Sequence, residues 1–456
     1  MNISKCKKIL NVMRCLTGSE WGASRSAIKN IYVALIRAVL DYGYIAYGSA
    51  AKTSLKKLEV VQAQALRLCC GALKTTPVSA LQVEMGELPL HIRHKQLMMN
   101  YWTNLQGYSE DHNPTKKVLL PCWERERAKR ECFAWSSETI AKDMSLNQKR
   151  YIPTVPLSVT PPWLFPSVSI DFYILEKVQV HKDFGNIAVF VEDRLQTLYQ
   201  TFIPVYTDGS KNPKTGSTGF ALSIPTLKVS VKRRTSDHLS VYTVEMIAIA
   251  TALQRIEELQ IKKVILCTDS CSALMSLQSY TSHSRQDIVN EIHETLYRFK
   301  NMNILITFMW VPAHRGIKGN EMVDALAKQA LKHEEIMEIS LSKSEAKGII
   351  KRNIIKDWQH RWDTTNTGRH LYAVQREVGP ARSAKRSTKE ENILTRLRVG
   401  HTRLNKTLHL INKHPSGLCD LCQIEESVEH VILHCNKYSR EREVLKREIR
   451  KIGGEV

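Results

Sequence analysis

The spacing of hydrophobic residues divides the chain into a helical first part, a mixed second part and a helical third part. In the first part, apolar residues recur at helical intervals from Ser26, a residue type favoured at N-caps, to Gly43, and again from Thr53 to Gly71. We therefore predict two helices in this region. Their apolar faces are expected to pack on each other or on a separate domain.

From about residue 203 the pattern alternates between strands and helices. Short apolar or β-branched runs predict five strands, near residues 203–207, 220–224, 229–231, 264–268 and 304–308. Helical spacing predicts helices between and after these strands, near residues 244–259, from 270, around 288–296 and from 320. This order predicts an α/β fold, a mixed five-stranded sheet with flanking helices.

The segments on either side of this α/β region are less regular. Prolines between residues 151 and 166 disfavour helix and predict an extended connector. Trp358 and Trp362 lie four residues apart in a basic, helical segment, where we expect them to pack in a core rather than stack on bases. The predicted domains are a helical region at 1–105, a connector at 106–199, an α/β domain at 200–333, a basic helical region at 334–400 and a cysteine- and histidine-containing segment with a basic tail at 401–456.

The charge balance of the chain indicates a polyanionic partner. The chain has 66 Lys and Arg against 45 Asp and Glu, a net charge of +21. Such an excess favours nucleic acid through neutralisation of phosphates and release of counterions. The excess is uneven, because residues 200–333 carry 16 basic and 11 acidic side chains whereas residues 343–456 carry 24 and 14. We expect a nucleic acid, RNA or DNA, as the partner, held mainly outside the α/β domain.

The cysteines and the apolar runs indicate the compartment. The 11 cysteines are odd in number, scattered, and not preceded by a secretory signal, which argues for a reducing environment rather than a disulfide framework. No run of 18 apolar residues occurs, so we expect no membrane span. The prediction is an intracellular protein, in the nucleus or cytoplasm, that is not secreted.

Four acidic residues fall on different predicted elements of the α/β region. Asp208 ends the first strand before Gly209, which is expected to open a turn, and Asp269 ends the fourth strand. Glu245 and Asp324 lie near the starts of helices. Each acid alone is typical of a solvated surface. Carboxylates that converge from several elements, however, hold the hard divalent cations that serve phosphodiester hydrolysis. The set therefore predicts a metal-dependent nuclease.

A histidine follows the last predicted strand. His314 lies in a turn that also contains Gly316 and Gly319. A histidine in such a place can shuttle a proton or help release product. The structural alternative is a turn histidine that bonds to backbone, and the neighbouring acids favour the catalytic interpretation.

These motifs together resemble ribonuclease H over about 130 residues. The matching pieces are Tyr206-Thr207-Asp208-Gly209-Ser210, Glu245 within Thr243 to Ile249, Thr268-Asp269-Ser270, and Trp310 to Asp324. The resemblance implies endonucleolytic, Mg²⁺-dependent cleavage of the RNA strand of an RNA–DNA hybrid, with Mn²⁺ as a possible substitute. It implies that two metal ions are held by Asp208, Glu245, Asp269 and Asp324, that His314 is a mobile catalytic helper, and that Gly209, Ser210 and Ser270 contact the substrate.

Two features depart from the family pattern. About 45 residues separate Asp269 from His314, which leaves little room for the basic helix and handle with which some members grip the hybrid. Binding is then expected to depend on other parts of the chain. Val323 stands where the family often has alanine, and we expect this change to be tolerated.

A second candidate metal site lies near the end of the sequence. Cys419 and Cys422 form a Cys-x-x-Cys pair, and His430 and Cys435 follow within a span that can close a tetrahedral Zn²⁺ site. His434 is an alternative to Cys435 as the fourth ligand. The structural alternative is a set of reduced, partly buried cysteines.

The order of these regions resembles the C-terminal part of a jockey-type non-LTR retrotransposon polyprotein. Residues 1–105, with Leu40-Asp41-Tyr42-Gly43 and Tyr47-Gly48-Ser49-Ala50, resemble the thumb-like segment after a reverse-transcriptase palm. The Tyr/Phe-x-Asp-Asp polymerase motif is absent from the sequence, so we predict no DNA synthesis by this chain alone. Other retroelement proteins are further candidate partners. Two alternatives to ribonuclease H activity stay open, a non-catalytic nucleic-acid-binding remnant and another nuclease or integrase-like enzyme on the same fold.

Overall fold

The computed structural model describes residues 2–18, 21–108, 114–119, 133–154, 160–180, 186–382 and 386–451. Several sequence-based expectations concern residues outside these ranges, namely Cys122, Cys132, residues 155–159 of the Pro-rich segment and the end of the basic tail at 452–456. The described residues group into two compact units. One lies within Met1–Asn100, Arg125–Ser137 and Ile350–Val456, and the other within Tyr101–Glu124 and Glu138–Ile349.

Helices dominate the described chain. In order they are α1 Asn2–Cys15, α2 Arg25–Ile31, α3 Ala38–Asp41, α4 Tyr44–Tyr47, α5 Lys52–Cys70, α6 Val78–Met85, α7 Leu90–Gln106, α8 Phe133–Asp143, α9 Tyr173–Val180, α10 Ile187–Thr197, α11 Val241–Glu258, α12 Cys271–Ser279, α13 Gln286–Asn301, α14 Lys318–Ala330, α15 Lys343–Thr364, α16 Arg369–Val374, α17 Thr388–Val399, α18 Asn405–Leu410 and α19 Ser439–Lys451. A π-helical segment, Tyr32–Arg37, joins α2 to α3 without interruption, and a second one covers His430–His434.

The second unit contains one mixed sheet of seven strands. They are β1 Ile170–Asp171, β2 Ile203–Lys211, β3 Thr218–Ile224, β4 Val229–Thr235, β5 Lys263–Thr268, β6 Leu305–Trp310 and β7 Ile336–Met337. Their spatial order is β1-β6-β5-β2-β3-β4-β7, in which the pairs β2–β3 and β3–β4 are antiparallel and all other neighbouring pairs are parallel. The mixed α/β architecture agrees with the sequence prediction, but the sheet has seven strands rather than five.

The two extra strands lie at the edges of the sheet. β1 and β7 have two residues each and are held by pairing with β6 and β4. Strands this short carry no periodic signal in the sequence, because they exist only through their neighbours. The five inner strands include every strand that the hydrophobic pattern predicted.

The core on one face of the sheet extends into the chain before residue 200. Ile174 of α9 and Ile187 and Val191 of α10 are buried together with side chains of the sheet and α14. Arg194 binds the Asp171 carboxylate through two nitrogens, at 2.6 and 3.1 Å. Residues 170–199, which the sequence places in the connector, thus contain a strand and helices that complete this layer.

The first unit is built on the helices predicted near the start of the chain. α5 ends at Cys70 and is capped by Gly71, whose φ of +62° is the left-handed conformation that glycine favours. The earlier helix begins after Ser24 rather than at Ser26, because the Ser24 hydroxyl accepts the N–H of Ala27. Tyr32, Ile36 and Leu40 are fully buried against α1 and α5, so the apolar faces pack on each other.

A buried ionic network ties distant segments of this unit together. The Glu84 carboxylate has no exposed surface and lies 2.8 Å from Arg25, 3.1 Å from Arg382 and 3.0 Å from Arg398. Burial opposes ionisation of this carboxylate, but Arg25 and Arg398 outweigh it and hold the pKa of Glu84 below its usual value. The network therefore fixes α6 to α2 and α17.

None of the helices in the described part of the chain combines the length and the apolar character needed to span a membrane.

Candidate active site

Asp208 lies near the end of β2, the middle strand of the sheet. β2 runs parallel to β5, and the pairing of Tyr206 with Cys267 sets their register. Asp208 and Asp269 each follow this pair by two residues, so both lie at the same end of neighbouring strands. The parallel pairing of β2 and β5 therefore brings together Asp208 and Asp269, which the sequence predicted at two separate strand ends.

Glu245 reaches the same place from a helix. α11 begins after Ser240, whose hydroxyl accepts the N–H of Thr243, a cap that contributes about 1 kcal/mol. The helix lies directly over Gly209, where an added Cβ would come within 2.8 Å of the Glu245 nitrogen. Glycine is thus required at 209 for the close approach of helix and strand. The turn that the sequence predicts at Gly209 is wrong, because β2 continues to Lys211.

Three carboxylates meet at this point. Asp208, Glu245 and Asp269 each offer an oxygen, and these oxygens lie within 4.8 Å of one another. Asp208 and Glu245 are buried, and Asp269 is half-buried. The Asp269 backbone is fixed by the Trp310 indole, which donates a 3.0 Å hydrogen bond to its carbonyl oxygen. Two adjacent strands and one helix therefore hold the group rigidly.

Burial and mutual repulsion dominate the electrostatics of this group. Burial, followed by the charges of Asp269 and Asp324, raises the pKa of Asp208 to about 7. Burial also raises the pKa of Glu245 well above its usual value, with added repulsion from Asp208 and Asp269. The Oε2 atom of Glu245 is buried and has no hydrogen-bond partner. Like charges and an orphaned oxygen in one pocket suit a hard divalent cation, which binds carboxylate oxygens.

Asp324, the fourth predicted ligand, stands at the margin of this group. It lies on α14, and its carboxylate is 2.7 Å from the Lys328 ammonium one helical turn later. It does not belong to the tight cluster of three, but its charge is close enough to raise the pKa of both Asp208 and Asp269. The structure therefore places Asp324 beside the three acids, already paired with a cation.

His314 is found on the exposed side of Asp324. Its Nδ1 atom is 3.8 Å from the Asp324 carboxylate, and 70% of its side chain is exposed. Its φ of +53° lies in the left-handed region, which is unusual for a residue other than glycine. The loop thus holds an exposed imidazole next to the acids in a backbone conformation that only surrounding structure maintains.

Two neighbours of the acids were not singled out from the sequence. Asn320 is buried on α14, and its amide partly offsets the rise that burial gives to the pKa of Asp269. Lys328 is the partner of Asp324 described above. The i,i+4 spacing of Asp324 and Lys328 is a signal that could have revealed the lysine, whereas nothing local distinguishes a buried asparagine.

The three predicted substrate contacts lie near the same end of the neighbouring strands β2 and β5. Gly209 is buried under α11, whereas Ser210 and Ser270 are half-buried beside Asp208 and Asp269 in the sequence. The Ser270 N–H donates to the Thr268 hydroxyl at 3.2 Å, which bends the chain after β5. Of the three, the two serines therefore have surface available to a ligand.

The cysteine and histidine cluster forms in the first unit. Cys419, Cys422, His430 and Cys435 offer ligand atoms within 4.8 Å of one another, and His434 is exposed outside the group. The Sγ atom of Cys435 is 3.7 Å from that of Cys419 and 3.9 Å from that of Cys422. Sulfurs bound at about 2.3 Å to a tetrahedral zinc lie about 3.8 Å apart, whereas a disulfide brings them to about 2 Å.

The protonation chemistry of the cluster also suits a metal. Backbone hydrogen bonding from Cys422 is the first of several causes that lower the pKa of the Cys419 thiol to about 6. The adjacent, buried His430 imidazole is another cause of this lowering. A thiol that ionises near neutral pH beside an imidazole is a donor set that fits Zn²⁺.

Comparison with known families agrees with the acidic site. Residues 200–332 match the family model of RNase H. This match spans all four acids and His314, together with the five inner strands of the sheet. The chain therefore contains an RNase H domain, and the family to which that domain belongs is one of hydrolases that bind nucleic acid.

Proposed function

We propose that the chain is a metal-dependent ribonuclease that cuts the RNA strand of RNA–DNA hybrids endonucleolytically. The observation that supports this most is the convergence of Asp208, Glu245 and Asp269 within the RNase H domain. Their raised pKa values and the unpaired Glu245 oxygen suit cations rather than a structural ion pair. The proposal assigns the metal ions to these three acids and to Asp324.

Each residue of the site is proposed to have a separate role in hydrolysis. Asp208, Glu245, Asp269 and Asp324 would hold Mg²⁺, or Mn²⁺ in its place, which would supply a lowered pKa for an attacking water and positive charge for the leaving oxygen. The buried carboxylates of Asp208 and Glu245 provide a preorganised negative site. Lys328 holds the orientation of Asp324 through its 2.7 Å ion pair. Asn320 packs against Asp269 and limits its rotation.

His314 is proposed to move a proton at the exposed edge of the site. Its ring is accessible to solvent and its Nδ1 atom lies 3.8 Å from Asp324 Oδ2. An imidazole in that place can accept a proton at Nδ1 and pass it to water as product leaves. Ser210 and Ser270 are proposed to contact the RNA strand, whose 2′-hydroxyl distinguishes it from DNA.

Hybrid cleavage tests the proposal directly. The full chain is incubated with an end-labelled RNA–DNA hybrid and Mg²⁺, beside Asp208→Asn and Asp269→Asn. We expect internal cuts in the RNA strand that fall by at least about 100-fold in both variants, the scale of losing a preorganised electrostatic group. Asp193→Asn, an exposed acid on α10, is the matched control and should cut at the original rate.

The alternatives predict different results in the same assay. A non-catalytic binding remnant would bind the hybrid in a salt-dependent manner without turnover. A different nuclease on this fold would cut duplex DNA as well. Cleavage that is indifferent to Asp208→Asn and Asp269→Asn would overturn the assignment of the acids.

We also propose a structural Zn²⁺ held by Cys419, Cys422, His430 and Cys435. The donor set, the sulfur separations and the lowered pKa of Cys419 support it.

Origin from a jockey-like retroelement polyprotein is a further proposal. It is supported by the order of the RNase H domain and the cysteine–histidine cluster, and by the resemblance near Leu40 to Ala50. Absence of the polymerase motif from the sequence supports a chain that makes no DNA by itself.

A further inference from the structure

A pocket in the first unit has a lining of unusual charge. Its volume is about 680 Å³, within the range of about 300–1,000 Å³ typical of ligand sites. The ends of α1 and α5, the loop before α2 and one face of α17 surround it. Its basic side chains are Arg14, Arg25, Lys74 and, more deeply placed, Arg67 and Arg396.

Little negative charge balances these cations. Among the described residues, the carboxylate in the lining is Glu391, which is already bound by Arg382 at 2.7 Å. Arg25 in turn is committed to Glu84 at 2.8 Å. No carboxylate in the described part of the chain lies within ion-pair distance of Arg67 or Arg396. Two half-buried guanidinium groups therefore face this pocket uncompensated.

Capping of α5 explains only part of this arrangement. Arg396 Nε donates to the Gly71 carbonyl at 2.8 Å, and Arg67 Nη2 donates to the Thr76 carbonyl at 3.1 Å. A guanidinium has five N–H donors, so each arginine keeps several beyond its carbonyl. The Nε atom of Arg67 is buried and has no partner. Burial lowers the pKa of both arginines, and the charge of Arg403 adds to this effect on Arg396.

We propose that this pocket binds a phosphate group of a nucleic-acid backbone, with Arg67 and Arg396 as its principal ligands. Guanidinium groups match phosphate oxygens through paired hydrogen bonds, and the anion would relieve the repulsion among the cations. Arg14 and Lys74 are exposed and extend the positive surface outward, as a continuous strand requires. The site lies outside the RNase H domain and is independent of its activity. It gives the chain a place to grip nucleic acid that does not rely on the four acids.

The test measures binding rather than cleavage. The full chain is titrated into a labelled 20-nucleotide single-stranded RNA without added Mg²⁺, over a range of salt concentrations, and compared with the double variant Arg67→Gln/Arg396→Gln. We expect affinity to fall by about 5- to 20-fold and the slope of log affinity against log salt to decrease by about 0.7 for each phosphate that the arginines no longer neutralise. Lys56→Gln/Lys57→Gln is the matched control, because it removes the same charge from exposed positions on α5.

Further arms separate a local site from a general effect of positive charge. Arg14→Gln/Lys74→Gln leaves the two carbonyl hydrogen bonds intact and should weaken RNA binding by about 2- to 5-fold, so the proposal stays testable if the first variant unfolds. Equal effects of the pocket and control pairs would overturn the proposal.

Inorganic phosphate and pyrophosphate, titrated by calorimetry, form the small-molecule arm. Binding of these anions that depends on Arg67 and Arg396, with RNA affinity unchanged, would reject the nucleic-acid source.

Discussion

Asp208 illustrates the conflict between stability and site chemistry at the scale of one residue. Its carboxyl group is buried next to two other acids, and its pKa rises from 3.8 to about 7. Folding raises the pKa of this carboxyl group. At pH values between its unfolded and folded pKa, the group therefore binds more protons in the folded state than in the unfolded state. Its contribution to the free energy of unfolding therefore falls as pH rises from about 4 to about 7. Without metal, ionising this group works against the fold.

This reasoning predicts the behaviour of Asp208→Asn in the absence of metal. The shift of about three pH units corresponds to about 4 kcal/mol at 1.36 kcal/mol per unit, taken as an order of magnitude. In EDTA at pH 8, Asp208→Asn should unfold several degrees above the unmodified chain, and the difference should vanish near pH 4. Mg²⁺ at pH 8 should raise the melting temperature of the unmodified chain more than that of the variant.

Thermal unfolding followed by tryptophan fluorescence measures this effect. Asp193→Asn again serves as the control, since its exposed carboxylate should leave the melting temperature unchanged in every condition. A variant that melts below the unmodified chain in EDTA at pH 8 would show that Asp208 stabilises the fold without metal. That result would contradict the electrostatic interpretation of the three acids.

At the scale of elements, the described residues of the cysteine–histidine segment form short helices and include few buried apolar side chains. α18 has six residues, the π-helical segment His430–His434 has five, and Leu421, Ile424 and Leu433 are exposed. Segments this short do not form stable helices alone. Their mutual positions are fixed around Cys419, Cys422, His430 and Cys435. Zinc binding at this point would contribute directly to folding of the segment.

Metal analysis of the reduced protein tests the zinc site. The unmodified chain should contain about one zinc per molecule, and Cys422→Ser should lose most of it. Cys15→Ser, a change at an exposed cysteine of the same unit, should retain the full amount. Removal of zinc by a chelator should speed proteolysis between residues 405 and 438. Zinc content near zero in the unmodified, reduced chain would remove the site.

The elements also show what local sequence can and cannot reveal. The inner strands and α11 to α14 are long enough for apolar periodicity to predict them, and each acid lies near a strand end or on such a helix. Gly209 misled the prediction, because glycine serves a turn and a close helix contact equally well. β1 and β7 depend on pairing with distant strands. The contact between Glu84 and Arg398 spans 314 residues and has no local signature.

At the scale of the whole molecule, the RNase H match covers less than the structure that supports it. The match begins at residue 200, yet β1, α9 and α10 precede it and pack on the same sheet. Ile174, Ile187 and Val191 cover side chains that include Met309 and Val311, which are fully buried. A fragment that begins at residue 200 would expose this face of the sheet to water. The family match therefore covers one part of a larger folding unit.

We predict that residues 101–349 fold stably and that residues 200–333 alone do not. Each of the three missing apolar side chains contributes roughly 1.5–3 kcal/mol when buried. Their combined loss approaches the total stability of a typical domain, about 5–15 kcal/mol. In urea unfolding followed by far-ultraviolet circular dichroism, the shorter fragment should lose its cooperative transition or unfold at a much lower urea concentration. Hybrid cleavage should follow the same order because the three acids depend on the intact sheet. Equal urea midpoints for the two fragments would show that the layer before residue 200 is dispensable, and would place the limits of the functional domain at those of the family match.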